Sequence, residues 1–253
     1  MNYKEIGKQL DIAALEKEAV AQISLSKSIT VEEAYTIQYE NIQRRVDRGE
    51  EIIGIKMGFT SKAKMEQMGV HDMIWGRLTD DMYYKNGDRL DISKFIHPRA
   101  EPELCFLVSK TIDRAIGIEE VGDFIEAVAP AIEIIDSRYM NFKFSLEDVI
   151  ADNCSSSAFV VGNWESLNRD IKNLEVELLF DGETMQKGNT IDILGDPYAS
   201  IVAASRLTHQ YGFDIIEGSY IMAGAATPAS YIKKGIHLQA SVMGLGQVEL
   251  NVP

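Results

Sequence analysis

The chain has 253 residues, of which 45% are hydrophobic and 25% charged, and its formal net charge is −14. This composition suits one large globular domain and argues against a disordered protein. The negative charge argues against a nucleic-acid binder, because such proteins neutralise phosphates with Lys and Arg. An anionic substrate stays possible, since a bound cation can reverse the field inside a cleft.

The first fifty residues have helical patterns. Apolar residues recur at helical spacing in residues 11–23. A second helix is predicted to begin at a Thr30 cap and to end at Gly49. The run EIIGIKMGF (51–59) then has the character of a strand, and a short helix is predicted after it, capped by Thr60 or Ser61.

The rest of the chain alternates short strands with turns. The pairs Asn86-Gly87 and Asp181-Gly182 each predict a hairpin. The stretch IEEVGDFIEAVA (118–129) suits a helix that lies between two apolar strands. The clearest helix begins at an Asp196 cap with Pro197 in its first turn, and three strands are predicted to follow it.

These elements predict an α+β fold, because the long βαβ alternation of a doubly wound sheet is missing. We expect a helical N-terminal part (1–50) and a catalytic body (51–253) within one continuous domain. Cys105 and Cys154 are the only cysteines, so no disulfide framework is implied. No apolar run approaches the roughly 20 residues that span a bilayer, and we expect a cytoplasmic protein with no membrane partner.

Three acidic residues lie in apolar surroundings. Glu101 and Glu103 stand two apart at the head of a strand, so their side chains point to the same side. Glu133 interrupts the apolar run APAIEII. Three carboxylates without thiols form a hard oxygen site that suits Mg²⁺ or Mn²⁺. The alternative is solvated strand-edge glutamates, which Pro102 between the first two also suits.

Other charged residues stand close to these strands. Lys56 ends an apolar strand and is either a functional buried amine or a surface lysine, and Asp80 or Asp81 could pair with it. Arg138 could hold a substrate carboxylate with two hydrogen bonds, or could form a surface ion pair. No Ser/His/Asp arrangement with a nucleophile elbow is present.

Several stretches together resemble the 2-hydroxypentadienoate hydratase / 4-oxalocrotonate decarboxylase family of the fumarylacetoacetate hydrolase superfamily. They are KMGFTSKAKMEQMGV, GRLTDDM, HPRAEPELCFLV, APAIEIIDSRYMNFKF and VIADNCSSSAFVVG. The resemblance runs from about residue 52 to the end and is sharpest before residue 163. It implies a mixed β-sheet roll with an N-terminal helical part, and a bound divalent metal ion.

The resemblance also assigns roles to individual positions. Its metal ligands fall on Glu101, Glu103 and Glu133, its catalytic lysine on Lys56, and an acid that sets the state of this lysine on Asp81. Four more residues are candidates for binding substrate: Arg138 for a distal carboxylate, and Thr60, Ser155 and Thr227 through their hydroxyls. Asp196 stands where many relatives have His, which leaves a role for that position open.

Family members act on 2-oxo or 2-hydroxy dienoic acids. The resemblance implies metal-dependent decarboxylation of 2-oxo-3-hexenedioate to 2-hydroxypenta-2,4-dienoate, a step in the degradation of aromatic compounds. The alternatives are hydration of 2-hydroxypenta-2,4-dienoate, a diacid-specific hydratase, and a metal-free binding or assembly protein. The resemblance further implies a homo-oligomer, in which a hydratase of the same family could be a partner.

Overall fold

A computed structural model describes residues 2–60, 65, 72–167 and 170–253. Its longer helices are α1 (Tyr3–Glu16), α2 (Val31–Asp47), α3 (Leu146–Ala151) and α4 (Pro197–Gln210). The predicted short helix after Thr60 falls on positions that, apart from Met65, lie outside the described residues. No described helix is both long enough and apolar enough to cross a bilayer.

The N-terminal helices begin and end where local chemistry dictates. Thr30 and Glu33 form a reciprocal capping box at the start of α2, as predicted. α1 begins earlier and ends earlier than predicted, because Lys17 adopts a left-handed φ of 57° that stops the helix. The helical N-terminal part is thus confirmed, while the division of the chain at residue 50 stays a prediction.

The large sheet contains nine strands in the described part of the chain. Seven of them lie side by side in the order β2-β1-β10-β4-β5-β6-β3, while β11 pairs with β4 and β7 pairs with β5. These strands are β1 (Ile52–Gly58), β2 (Ile74–Thr79), β3 (Tyr83–Tyr84), β4 (Arg99–Val108), β5 (Ile125–Ile135), β6 (Ser156–Val161), β7 (Glu165–Ser166), β10 (Tyr220–Met222) and β11 (Ser230–Tyr231).

A second sheet of four strands packs against part of the first. Its order is β13-β12-β8-β9, formed by β8 (Glu175–Phe180), β9 (Glu183–Asn189), β12 (Ile236–Val242) and β13 (Gly246–Val252). Buried aliphatic residues such as Ile132, Val160 and Leu238 fill the space between the sheets. Most strand pairs are antiparallel, so the mixed α+β prediction is confirmed.

Two sequence predictions about strands and turns were wrong. Residues 118–129 do not form an α-helix: a 3₁₀ turn covers Ile118–Asp123, and β5 begins at Ile125 because it pairs with β4 along nearly its whole length. Asn86-Gly87 forms a turn but no hairpin, since β3 before it pairs in parallel with β6. The Asp181-Gly182 hairpin and the Asp196 cap of α4 are confirmed.

Candidate metal centre and active-site pocket

Three buried glutamates meet on the central strands of the large sheet. Glu101 and Glu103 extend from the same face of β4, and the antiparallel register sets Glu133 of β5 directly opposite Glu101. The three side chains offer carboxylate oxygens that lie within 4.8 Å of one another. We call Glu101, Glu103 and Glu133 the carboxylate cluster. Like charges that face each other across a strand pair repel, so this arrangement favours a compensating cation or proton.

The electrostatics of the carboxylate cluster reflect this crowding. Burial, and then repulsion from Glu133, raises the pKa of Glu103 well above its ordinary range. Oε2 of Glu103 accepts a hydrogen bond from the backbone N–H of Gly224 at 2.9 Å. Oε1 of Glu103 is buried and has no hydrogen-bond partner among the described residues. An acceptor with this spare capacity is a ready ligand for a cation.

A glycine with positive φ allows this contact with Glu103. Gly224 has a φ of +98°, and a Cβ atom added to it would lie 2.3 Å from the side chain of Thr60. Any larger residue at 224 would therefore displace Thr60 or the backbone N–H that holds Glu103. Thr60 is itself buried, and its carbonyl accepts a hydrogen bond from Leu194. Thr60 is thus a packing neighbour of Gly224, and its predicted role in binding substrate stays a prediction.

Lys56 of β1 supplies a positive charge beside the carboxylate cluster. Its Nζ lies 2.8 Å from Oε2 of Glu133 and donates to the carbonyl of Cys154 at 3.2 Å. Burial alone would lower the pKa of Lys56, but attraction to Glu133 and the neighbouring acids outweighs burial and raises it. The amine therefore stays protonated at neutral pH.

The structure corrects the prediction that Asp81 sets the state of Lys56. Asp81 is exposed in the turn Asp80–Met82, and the ion-pair partner of Lys56 is Glu133. The carboxylate of Asp80 accepts hydrogen bonds from the backbone N–H groups of Glu51 and Asp81. In the β1–β2 register Lys56 lies opposite Gly76, whereas the two aspartates follow Thr79 at the other end of the strand pair.

The donor set fits a divalent cation of the hard type. Lys56 pairs with Glu133, while the buried Oε1 of Glu103 has no hydrogen-bond partner among the described residues, so a doubly charged ion would find a spare ligand atom here. The oxygens offered are carboxylates, which Mg²⁺ and Mn²⁺ prefer. In the part of the chain that the structure describes, this is the only group of three or more metal-ligating side chains.

A strained turn closes one side of the site. Three consecutive residues, Asn153, Cys154 and Ser155, have φ values of 49°, 53° and 59°, a region that residues other than glycine seldom adopt. The amide of Asn153 clamps the turn by exchanging two hydrogen bonds, each 2.8 Å long, with the backbone of Arg77. The turn directs the Cys154 carbonyl at Lys56 and leaves the buried Ser155 hydroxyl without a partner among the described residues.

A pocket of about 400 Å³ opens beside these residues. Lys56, Glu101 and Ser155 line it on one side, and Phe142 and Phe144 supply apolar walls. A small organic anion with an apolar body would fit a pocket of this size and character. The structure therefore brings four of the predicted residues together with Ser155: the three acids of the carboxylate cluster and Lys56.

Arg138 does not fit the substrate-binding role predicted for it. Its guanidinium is buried and donates to the carboxylate and carbonyl of Asp152, to the carbonyls of Asp136 and Ser156, and to the hydroxyl of Ser157. We call this set the arginine network. Every donor nitrogen is engaged, so the side chain holds the end of β5 to the loop before β6.

Thr227 is buried next to the pocket, and its hydroxyl donates to the carbonyl of Pro228 at 3.1 Å. Pro228 lines the pocket. The predicted role of Thr227 in binding substrate stays a prediction.

Sequence reasoning missed Arg99, the cation that lines the pocket together with Lys56. Arg99 is the first residue of β4 and precedes Glu101 by two positions. The alternation that identified Glu101 and Glu103 as neighbours on one strand face extends to Arg99, and this signal could have found it.

The fold and site define a class of metal-dependent enzyme, with a mixed β-sheet body and a buried carboxylate cluster. Comparison agrees: the profile of the Fumarylacetoacetate (FAA) hydrolase C-terminal family matches residues 51–253. The chain belongs to this family.

Individual relatives sharpen the comparison. A 4-oxalocrotonate decarboxylase from Pseudomonas sp. is 47% identical over 251 residues, which cover 99% of this chain and 98% of the relative. The solved structure of 4-oxalocrotonate decarboxylase from Pseudomonas putida G7, complexed with magnesium and adipate, matches with a TM-score of 0.94 and 34% identity over 98% of this chain and 96% of that chain. A 2-hydroxypent-2,4-dienoate hydratase from Pseudomonas putida is more distant, at 33% identity over 82% of this chain and 96% of the relative.

Proposed function

We propose that this chain catalyses the Mg²⁺-dependent decarboxylation of 2-oxo-3-hexenedioate to 2-hydroxypenta-2,4-dienoate, in the degradation of aromatic compounds. The carrying observation is the buried carboxylate cluster paired with Lys56 at a pocket of suitable size. The decarboxylase relative, 47% identical over nearly the whole chain, supports this reaction over hydration.

The carboxylate cluster holds the metal ion in this proposal. Glu101 lines the pocket, and its cross-strand partner Glu133 and strand neighbour Glu103 lie beside it. When bound, Mg²⁺ supplies Lewis-acid polarisation of the 2-oxo group of the substrate. The adipate that accompanies magnesium in the Pseudomonas putida G7 structure is a six-carbon dicarboxylate, like the proposed substrate.

The reaction itself needs an electron sink and one proton. The bond between C5 and the distal carboxylate carbon breaks and releases CO₂. Its electron pair moves through the alkene to the 2-oxo oxygen, and the resulting dienolate takes up one proton to give the 2-hydroxydiene. A protonated group beside that oxygen both stabilises the developing charge and can deliver the proton.

Lys56 is the group that we assign to this task. It is buried, it stays protonated, and it lies on the pocket wall beside Glu101. Glu133 and the Cys154 carbonyl fix its Nζ, so the ammonium points in one direction before substrate arrives. The Ser155 hydroxyl, which has no partner among the described residues, would donate a hydrogen bond to a substrate oxygen in the same pocket.

A paired assay tests the proposal. Purified protein is mixed with 2-oxo-3-hexenedioate and, separately, with 2-hydroxypenta-2,4-dienoate, each with MgCl₂ and with excess chelator. We expect CO₂ release from the first substrate only when Mg²⁺ is present. Consumption of the dienoate alone would replace the decarboxylase with the hydratase, the second candidate that the 33% identical relative favours. Activity toward neither substrate would support the remaining alternative, a metal-free binding or assembly protein.

We also propose that the protein works in the cytoplasm as a homo-oligomer, with a hydratase of the same family as a partner that receives the unstable dienol. Both cysteines are free and buried, as a reducing compartment allows. Large apolar side chains such as Leu25 and Met243 are more than half exposed, and subunit contacts would cover them. Light scattering after gel filtration, with and without the hydratase, measures both associations. A monomeric mass that does not change when the hydratase is added would refute both proposed associations.

A further inference from the structure

Arg99 shares a strand face with the residues of the carboxylate cluster on β4. Side chains two positions apart in a strand point the same way, so Arg99, Glu101 and Glu103 form one row. The Cα atoms of Arg99 and Glu101 are about 7 Å apart at strand spacing. An extended six-carbon diacid spans a similar ~6 Å between its end carbons, because each C–C bond is about 1.5 Å long. Arg99 and Glu101 both line the pocket.

Two aromatic rings contact the Arg99 guanidinium. The Phe142 ring centroid lies 3.9 Å from its Cζ atom, and the Tyr231 ring centroid lies 4.1 Å from it. Tyr231 is the cross-strand partner of Arg99, and its hydroxyl accepts a hydrogen bond from Nη2. Contacts with two rings restrict the position of the guanidinium, and a guanidinium so held can still bind a planar anion through its N–H edge.

The edge of this guanidinium retains donors. Nε of Arg99 is buried and has no hydrogen-bond partner among the described residues. No ion pair joins Arg99 to a carboxylate in the parts of the chain that the structure describes. A buried donor without a partner is rare and calls for an explanation. The explanation that suits a fork-shaped cation at a pocket is a carboxylate that arrives with the ligand.

We propose that Arg99 binds the distal carboxylate of the substrate and thereby selects dicarboxylates over monocarboxylates. This inference rests on the proposed function for the identity of the substrate. Arg99 would contact the carboxylate that departs as CO₂ while the carboxylate cluster serves the 2-oxo end. The contact exists in the bound ground state and fades as the carboxylate loses its charge. Its loss should therefore raise KM far more than it changes kcat.

The test combines two ligands with two forms of the full-length, Mg²⁺-loaded protein. 2-Oxoadipate and 2-oxohexanoate differ only in the distal carboxylate, and neither has the alkene that decarboxylation needs. We expect the wild type to bind 2-oxoadipate about a hundredfold more tightly. Arg99→Met should lose at least about tenfold of that preference while its affinity for 2-oxohexanoate changes by no more than about twofold.

Matched variants separate recognition from structure. Arg114 also stacks on a ring, that of Phe124, but it is an exposed residue paired with Glu120 and is absent from the pocket lining. Arg114→Met should keep the full preference for 2-oxoadipate. Arg99→Lys retains the charge without the fork and should fall between wild type and Arg99→Met, and it stands in if Arg99→Met does not fold.

Equal weakening of both ligands by Arg99→Met, or a wild type without preference, would overturn the inference. Failure of the proposed function has a different signature. In that case the wild type releases no CO₂ from 2-oxo-3-hexenedioate but still prefers 2-oxoadipate in an Arg99-dependent way.

Discussion

Two buried groups of charged side chains, one on β4 and β5 and the other after the end of β5, differ in how their hydrogen bonds are used. The arginine network joins one cation to one carboxylate, and each donor nitrogen of Arg138 has a protein partner. The carboxylate cluster gathers three acids, and one buried oxygen of Glu103 has no hydrogen-bond partner among the described residues. A buried ion pair with complete hydrogen bonding stabilises the fold, whereas a buried acceptor without a partner marks a place for a ligand.

The largest effect is expected from a substitution of Glu103 in the carboxylate cluster. We expect Glu103→Gln to lower turnover about a thousandfold, or about 4 kcal/mol, because the metal ion loses a charged ligand. The thermal midpoint of the metal-free protein should hold or rise, since one of three repelling carboxylates is gone. A CO₂ assay measures the turnover, and thermal denaturation of the chelator-treated protein measures the midpoint. Glu126→Gln, an exposed site on β5, is the control, and wild-type turnover in Glu103→Gln would end the assignment.

The arginine network should give the opposite result. Arg138→Met leaves Asp152 as a buried carboxylate without its cation, so we expect a loss of about 3–4 kcal/mol in the free energy of unfolding. Urea denaturation with and without Mg²⁺ measures it, with Arg114→Met as the exposed control. If the variant keeps its stability and instead loses only affinity for 2-oxoadipate, Arg138 binds substrate after all.

Substitution of Lys56 tests whether its ammonium group acts on the substrate. Lys56→Met should lower kcat about a hundredfold at saturating Mg²⁺, because the developing oxyanion loses its protonated neighbour. Lys56→Arg should recover part of this loss, and Lys85→Met, at an exposed site, should have no effect. An unchanged kcat would assign Lys56 to charge balance alone.

A third charged group lies between these extremes. Asp11 of α1 is buried and receives hydrogen bonds from Arg44 and Arg48 of α2, which are more exposed. Burial alone would raise the pKa of Asp11, but the bonds from Arg48 and Arg44 outweigh burial and lower it. The ionised form is therefore favoured in the folded state, and its stabilisation is present above the usual pKa and is lost as pH falls through the lowered value.

We accordingly expect Asp11→Asn to lower the free energy of unfolding by about 2 kcal/mol at pH 7. The difference from wild type should shrink as pH falls below about 4. Denaturation curves across this range measure it, with the exposed Asp47→Asn as control. A difference that grows toward acid pH would contradict the sign argued here.

Local signals in the sequence predicted much of this molecule. Thr30 and Asp196 begin helices through side-chain caps that involve only their near neighbours, and alternation brought Glu101 and Glu103 together. Register is a different matter. That Glu133 faces Glu101, and that residues 125–129 extend β5 instead of a helix, follow from pairing with β4 across the sheet. This pairing joins separate segments of the chain, so no short stretch of sequence reveals it.

The two arginines show the same limit. Arg138 has a sequence context that suits a ligand contact, but its partner Asp152 is fixed by the approach of the loop before β6. Arg99 is the first residue of its strand, and nothing in the sequence shows that its guanidinium contacts the rings of Phe142 and Tyr231. Both residues are arginines that could bind a carboxylate. Only their contacts separate Arg138, whose donors all have protein partners, from Arg99, which we propose binds substrate.

The left-handed turn at 153–155 has a consequence for how the pocket can vary. The carbonyl that accepts a hydrogen bond from Lys56 and the Ser155 side chain that lines the pocket come from adjacent residues of one turn. A change in the conformation of this turn would move the Cys154 carbonyl and the Ser155 hydroxyl together. A substitution that shifts this turn would therefore alter the proposed proton donor and the proposed hydroxyl contact to the ligand together.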